Sequence, residues 1–127
     1  MTAAASLAVA LLLILTVFQA ALALGAPLGQ GSWGGRYRGR LPTGLRAASA
    51  VNALVVYPVA IVYVLVSAGL VDGHDLPGAG SAAMWVLVGF FSLGTFANLI
   101  SRSPVERFWS PVSLTLAVCC AVIALAH

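Results

Sequence analysis

The side chains of this chain that can do chemistry are few, and they lie in or beside long apolar runs. The 127 residues include six arginines and only three carboxylates. Three amides, Gln19, Asn52 and Asn98, stand inside apolar runs. Lipid offers an amide no water, so each amide needs a partner on another helix or on a ligand. Arginines bind carboxylate and phosphate groups through forked hydrogen bonds. These residue types favour binding of an anionic group over catalysis.

The elements that position these side chains must be membrane helices. The chain is 61% hydrophobic and 7% charged, and its mean hydropathy is +1.06. A soluble domain carries charge on about a quarter of its residues. The composition therefore excludes a water-soluble globule, a disordered chain and a nucleic-acid-binding domain, and it indicates an integral membrane protein.

Four apolar runs are long enough to span a bilayer, for which about 20 helical residues are needed. The connections between them are short, so we predict one all-α domain over residues 1–127, a four-helix up-and-down transmembrane bundle. The first run has no Lys or Arg before it, so we interpret it as a retained span and not a cleaved signal. The predicted spans cover residues 2–24, 46–71, 82–100 and 108–126.

The arginines predict the orientation of the bundle. All six fall in or beside the first and third links, which share one side of a four-span chain: Arg36, Arg38, Arg40, Arg46, Arg102 and Arg107. The positive-inside rule assigns that side to the cytoplasm. We therefore expect a multi-pass protein of the bacterial plasma membrane, with both termini outside.

Helical periodicity groups the polar residues near the cytoplasmic end. At 100° per residue, Ser49 and Asn52 share a face with Arg46, and Thr95 and Asn98 share a face with Arg102. Ser110 and Ser113 fall on the face of Glu106, the one carboxylate of the cytoplasmic links. We predict a buried polar cluster within roughly 10 Å of that end, made of Gln19, Ser49, Asn52, Thr95 and Asn98.

Two interpretations of this cluster stay open. In the first, the polar side chains clip helices together, at about 0.6 kcal/mol each in lipid. In the second, the cluster supports a binding site for an anionic group, such as a lipid phosphate or a substrate, coordinated by Arg46 and Arg102, or a contact with a partner protein. The predicted contact residues are Arg36, Arg38, Arg40, Arg46, Arg102, Arg107 and Glu106.

Other residues give weaker signals. Cys119 and Cys120 are adjacent in an apolar helix, where we expect them to behave as small hydrophobic residues. The outer link from Asp72 to Asp75 is interpreted as a solvated turn and not as a metal site. Pro58 predicts a kink in the second span. Trp85 and Trp109 are typical of the aromatic belts at membrane interfaces.

The two arginine-bearing links carry recognisable segments. The first has Gly25-Ala-Pro-Leu-Gly29, Trp33-Gly-Gly35, Leu41-Pro42 and Leu45-Arg46, and the second runs from Asn98-Leu-Ile-Ser-Arg-Ser103 to Glu106-Arg107. Together they resemble a family of small four-span bacterial membrane proteins of actinobacterial type. The resemblance implies the same orientation and a shared cytoplasmic face, and it brings no catalytic residues.

The function expected from these observations is binding. We expect a non-enzymatic accessory or interaction subunit without a cofactor, whose basic face contacts anionic phospholipid or another membrane protein. A small transporter and a lipid-acting membrane enzyme are the alternatives. Small multidrug exporters rely on a carboxylate inside a span, which this chain lacks, and lipid chemistry needs reactive groups within reach of one another. The oligomeric state stays open.

Overall fold

The computed structural model describes residues 2–27, 29, 39–73, 75–101 and 104–127, which form helices and the turns between them. We number the α-helices in chain order. They are α1 (Thr2–Ala23), α2 (Thr43–Val51), α3 (Tyr57–Ser67), α4 (Ser81–Leu99), α5 (Pro104–Phe108) and α6 (Ser110–Leu125). A π-helical turn, Asn52–Val56, joins α2 to α3 in one continuous helix.

The described helices form an integral membrane four-helix bundle with up-and-down connectivity. The segments long and apolar enough to cross a membrane are Thr2–Ala23, Thr43–Ser67, Ser81–Leu99 and Glu106–Leu125. The most extensive contact joins α4 to α6, and α1 packs on α2, on α3 and on α6. The helices α3 and α4 touch over a much shorter stretch. The bundle is therefore closed on three sides and open between α3 and α4.

Backbone caps set helix ends that hydropathy places only approximately. The second span ends at Ser67, before the predicted residue 71, because Gly69 adopts φ +77° and reverses the chain. The reversal is a Schellman motif, in which Gly69 N–H donates to Val66 O and Leu70 N–H donates to Leu65 O. The same span begins at Thr43, directly after Pro42, and not at the predicted residue 46. Apolar side chains continue past such a cap, so a prediction from composition places the end of the helix too late in the chain.

Pro58 produces a π-helical turn in the second span. Within this turn Tyr57 N–H donates to Asn52 O, five residues back. A proline has no N–H for the carbonyl four residues earlier, here that of Leu54, and its ring collides with that carbonyl in a regular helix. The wider π turn, which ends at Val56, relieves the collision.

The core of the bundle holds small and medium apolar side chains. Ala5, Ala8, Met84, Leu116 and Cys120 are fully buried together. Lipid is as apolar as these side chains, so close packing and not water exclusion holds the helices together.

Hydrogen bonds fasten the end of the bundle away from the arginines. The Ser67 hydroxyl accepts from Gly80 N–H at 3.0 Å, and the Tyr63 hydroxyl donates to Pro77 O at 2.8 Å. The His127 ring lies 2.6 Å from the Ser67 carbonyl oxygen, measured from Nε2. These bonds tie the end of α3 to the start of α4 and to His127, two residues beyond the end of α6.

Candidate functional site

The arginine-bearing end is the end of the bundle where α1 and α4 finish and where α2 and α6 start. A cleft of about 410 Å³ opens there between α1, α3, α4 and the α5–α6 segment. We call it the polar cleft, because its walls carry side chains that can hydrogen bond: Gln19, Tyr57, Asn98, Glu106, Trp109 and Ser113.

The α4 and α6 walls of the polar cleft meet through a side-chain hydrogen bond. Asn98 Nδ2 donates to Ser113 Oγ at 3.5 Å, at the long limit for such a bond. Gly94, one turn before Asn98, faces Ser113: a Cβ there would lie 3.6 Å from Ser113 Oγ, in ordinary van der Waals contact. The amide of Asn98 is half-buried, so it holds the helices together and still faces the cleft.

The α1 wall of the polar cleft carries Gln19. Its side chain is only 6% exposed, and its Oε1 atom has no hydrogen-bond partner within the described part of the chain. A buried polar atom without a partner costs about 1–3 kcal/mol. A bound water or a ligand that donates a hydrogen bond to Gln19 Oε1 would remove this cost.

The α5–α6 segment supplies an acid and an indole. Glu106 is 6% exposed and faces the cleft from the short helix α5. Three residues later, Trp109 packs its ring against Phe18 of α1, with ring centroids 5.0 Å apart. Its indole Nε1 is buried and has no acceptor among the residues that the structure describes. The predicted interface-belt role of Trp109 therefore gives way to a place in the cleft wall, whereas Trp85 is exposed as an interface tryptophan would be.

Two members of the predicted polar cluster, Gln19 and Asn98, meet in the polar cleft, and three do not. Thr95 donates its hydroxyl to Phe91 O of its own helix at 2.8 Å. Ser49 is fully buried and Asn52 is half-buried, and both lie outside the cleft walls described.

The described arginines bind or cover helix ends. Arg46 Nε donates to Ala23 O, the last carbonyl of α1, at 3.1 Å. Arg107 donates from Nη1 to Ser101 O, just beyond the end of α4, at 3.2 Å. Cations at these positions complement the negative end of the helix dipole. Of the predicted contact residues, Arg36, Arg38 and Arg102 lie outside the described part of the chain.

Arg40 lies over the cap of α1. Its guanidinium is 2.7 Å from the point where a Cβ on Gly25 would stand, so the glycine makes room for it. Arg40 and Arg107 are exposed, whereas Arg46 is half-buried. The three described arginines, Arg40, Arg46 and Arg107, thus lie at the helix ends near the polar cleft and are not among the residues that line it.

The remaining candidates take structural positions. Cys119 and Cys120 are buried free thiols within the core, as small hydrophobic residues would be. Asp72 and Asp75 are exposed, and His74 lies outside the described residues.

Sequence reasoning did not assign Tyr57 or Trp109 to a site. The spacing of Glu106, Trp109 and Ser113, three and four residues apart, is a signal for the Trp109 position, because it puts all three on one helical face. Tyr57 gave no such signal, because its direction depends on the π-helical turn.

The chain was compared with protein-family models, with curated proteins and with solved structures, and no match was found. The resemblance of the two arginine-bearing links to a small four-span family therefore stays a prediction.

Proposed function

We propose that this protein is a non-enzymatic membrane binding protein that holds the headgroup of a membrane lipid in the polar cleft. The observation that carries the proposal is Gln19, whose amide oxygen is buried in the cleft wall without a donor among the described residues. Around it stand groups that bind through hydrogen bonds, namely Asn98, Trp109 and Ser113. These groups can bind a ligand through hydrogen bonds, and we propose that the ligand leaves the cleft chemically unchanged.

The arginines add a second contact to this proposal. Arg40 and Arg107 are exposed at the arginine-bearing end, so their guanidinium groups reach the headgroup layer of the bilayer. Each arginine near an anionic surface contributes about 1 kcal/mol of attraction. We propose that this end faces the cytoplasm and contacts anionic phospholipid around the cleft. An accessory role beside another membrane protein is compatible with the same surface.

Native mass spectrometry of the protein extracted from its own membrane in mild detergent tests the lipid proposal. We expect a reproducible lipid adduct that Gln19→Leu and Asn98→Leu each weaken. The matched control is Thr115→Val, which removes a hydroxyl of α6 that donates to Pro111 O and lies outside the cleft walls. The control should retain the adduct.

Two results would overturn the lipid proposal. One is an adduct retained at wild-type level in both cleft variants. The other is a spectrum in which a second polypeptide is the sole adduct, which would make the protein an accessory subunit with a protein partner. Loss of anionic phospholipid alone in Arg40→Ala and Arg107→Ala would assign that lipid to the basic face.

A further inference from the structure

The open side of the bundle contains a second cavity, of about 550 Å³, between α3 and α4. We call it the apolar groove. Its walls are aliphatic and aromatic side chains, including Val59 and Tyr63 of α3 and Ala82, Val86 and Phe90 of α4. Because α3 and α4 touch only briefly, the groove faces the surrounding lipid.

The apolar groove and the polar cleft share a wall. Tyr57, Phe90 and Phe91 line both cavities. Phe91 is buried and packs edge-on against Phe90, with ring centroids 5.2 Å apart. From the level of Tyr57 the groove runs toward Tyr63, six residues or about 9 Å further along α3. The polar cleft thus continues into an apolar groove that runs from the middle of the second span toward the end of the bundle away from the arginines.

The sequence explains why the apolar groove between α3 and α4 is not filled by side chains. Small residues, Ala60 on α3 with Ala82 and Ala83 on α4, leave the space that larger side chains would fill. The π-helical turn ends one residue before Tyr57 and sets the direction of that side chain at the junction. Single π turns in α-helices occur often at binding sites.

The headgroup chemistry follows from two buried atoms. Gln19 Oε1 accepts hydrogen bonds and Trp109 Nε1 donates one, and within the described residues neither has a partner. A hydroxyl group both donates and accepts hydrogen bonds, so it can pair with either atom. An ionised phosphate oxygen only accepts, so it can pair with Trp109 Nε1 but not with Gln19 Oε1.

We propose that the polar cleft and the apolar groove bind one amphiphilic lipid with an uncharged, hydroxyl-bearing headgroup. The headgroup lies between Gln19 and Trp109, and the hydrocarbon chain passes Tyr57 and Phe90 into the groove. Acylglycerols and long-chain alcohols have this chemistry. The inference rests on the proposed lipid-binding function and adds the class of lipid and the path of its chain.

The first test measures affinity. Full-length protein in detergent is titrated with dioleoylglycerol and, separately, with dioleoylphosphatidylglycerol, and bound lipid is read by native mass spectrometry. We expect dioleoylglycerol to bind more tightly. Gln19→Leu should weaken it about tenfold, the loss of one hydrogen bond to a buried group. Thr16→Val is the matched control on α1, because its hydroxyl bonds to Leu12 O and lies outside both cavities.

The second test fills the groove. Ala82 is exposed and lines the groove, so Ala82→Phe should displace the chain and reduce dioleoylglycerol binding without disturbing the core. Ser92→Phe makes a similar small-to-large change at an exposed position of α4 outside the groove walls, and it should bind as the wild type does. Equal binding by the two variants would overturn the proposed chain path.

The third test maps the chain directly. A diacylglycerol with a diazirine in its acyl chain is photolysed on the protein, and the labelled peptides are identified by mass spectrometry. We expect label on the α3 and α4 residues of the groove, such as Val59 and Val86. Label spread evenly over the outer faces of all four spans would overturn the inference.

The results of these tests distinguish an error in the class of lipid from an error in the proposed lipid-binding function. If dioleoylphosphatidylglycerol binds more tightly than dioleoylglycerol and Gln19→Leu weakens that binding, the lipid-binding function stands and the uncharged headgroup is wrong. If neither lipid binds and the lipid adduct from the native membrane is also absent, both proposals are wrong.

Discussion

At the scale of single residues, the polar side chains near the arginine-bearing end are of two kinds, those with a hydrogen-bond partner and those without one in the described chain. Asn98 donates a hydrogen bond to Ser113, and Arg46 donates one to the last carbonyl of α1. Gln19 has an amide oxygen that is buried and unmatched within the described chain. The first kind stabilises the bundle, and the second kind costs stability for as long as no donor reaches it. This contrast separates a structural clip from a binding site experimentally.

We predict that Gln19→Leu does not destabilise the lipid-free protein. Removing an unmatched buried amide oxygen recovers part of a cost of about 1–3 kcal/mol, so the melting temperature in detergent should hold or rise. The comparison is Asn98→Leu, which breaks an interhelical bond and should lower stability by about 0.6 kcal/mol. Scanning fluorimetry on delipidated protein measures both. A clear fall in melting temperature for Gln19→Leu would show that Gln19 stabilises the bundle through a contact between helices, and would contradict its role in ligand binding.

The cap of α1 gives a second prediction. Gly25 has φ +96° and closes a Schellman motif, in which Gly25 N–H donates to Leu22 O and Ala26 N–H donates to Ala21 O. Gly25→Ala should destabilise the protein by about 1–2 kcal/mol through the left-handed backbone alone. The new Cβ would also meet the Arg40 guanidinium at 2.7 Å.

The control for Gly25→Ala is Gly44→Ala. Gly44 is the second residue of α2 and has open space around its Cβ position, so alanine there should maintain stability or raise it, by at most about 0.5–1 kcal/mol. Melting in detergent measures both changes. Equal effects of the two substitutions would contradict the role assigned to the Gly25 cap.

At the scale of elements, the second span couples a local irregularity to the site. The π-helical turn before Pro58 directs Tyr57 to the junction of the two cavities. Pro58→Ala restores the missing N–H and removes the clash with the Leu54 carbonyl, so the helix can become regular. Removing a proline from a helix interior gains up to about 3 kcal/mol.

We predict that Pro58→Ala raises the melting temperature and weakens dioleoylglycerol binding, because Tyr57 turns away from the junction when the π turn is lost. Circular dichroism melts and the native mass spectrometry titration give the two readouts. Val62→Ala, an exposed substitution one turn further along α3 and outside both cavities, should change neither by much. Greater stability with unchanged binding would show that the π turn does not serve the site.

At the scale of the whole molecule, the arginines predict which end faces the cytoplasm. A single cysteine introduced at Asp72 or at Thr43 tests this, because both positions are exposed and lie at opposite ends of the bundle. The background carries Cys119→Ala and Cys120→Ala, which removes the two buried thiols. A membrane-impermeant maleimide on intact cells should label Asp72→Cys and spare Thr43→Cys. The reverse pattern would invert the topology.

The lining of the candidate site was only partly predictable. Gln19 and Asn98 could be found from sequence because an amide in an apolar run is conspicuous. Tyr57 could not be placed, because an aromatic residue suits a lipid-facing belt, a core and a cleft equally well. For Trp109 the helical face that it shares with Glu106 and Ser113 was a signal, but it did not show which helix the ring packs against. The directions of these two aromatic side chains depend on the π-helical turn before Pro58 and on the packing of Trp109 against Phe18.

The sequence by itself determined the four spans, their alternation and the clustering of arginines at one end, because the energy of placing backbone and charge in hydrocarbon depends on composition and length alone. Only the tertiary structure decided that α3 and α4 stay apart while α4 and α6 pack closely. Apart from the polar residues near the arginine-bearing end, the spans are apolar all round, so most of their length carries no face that marks a neighbour in the sequence. In lipid, neighbours are chosen by the fit of small and large side chains, which exists only once the helices have met.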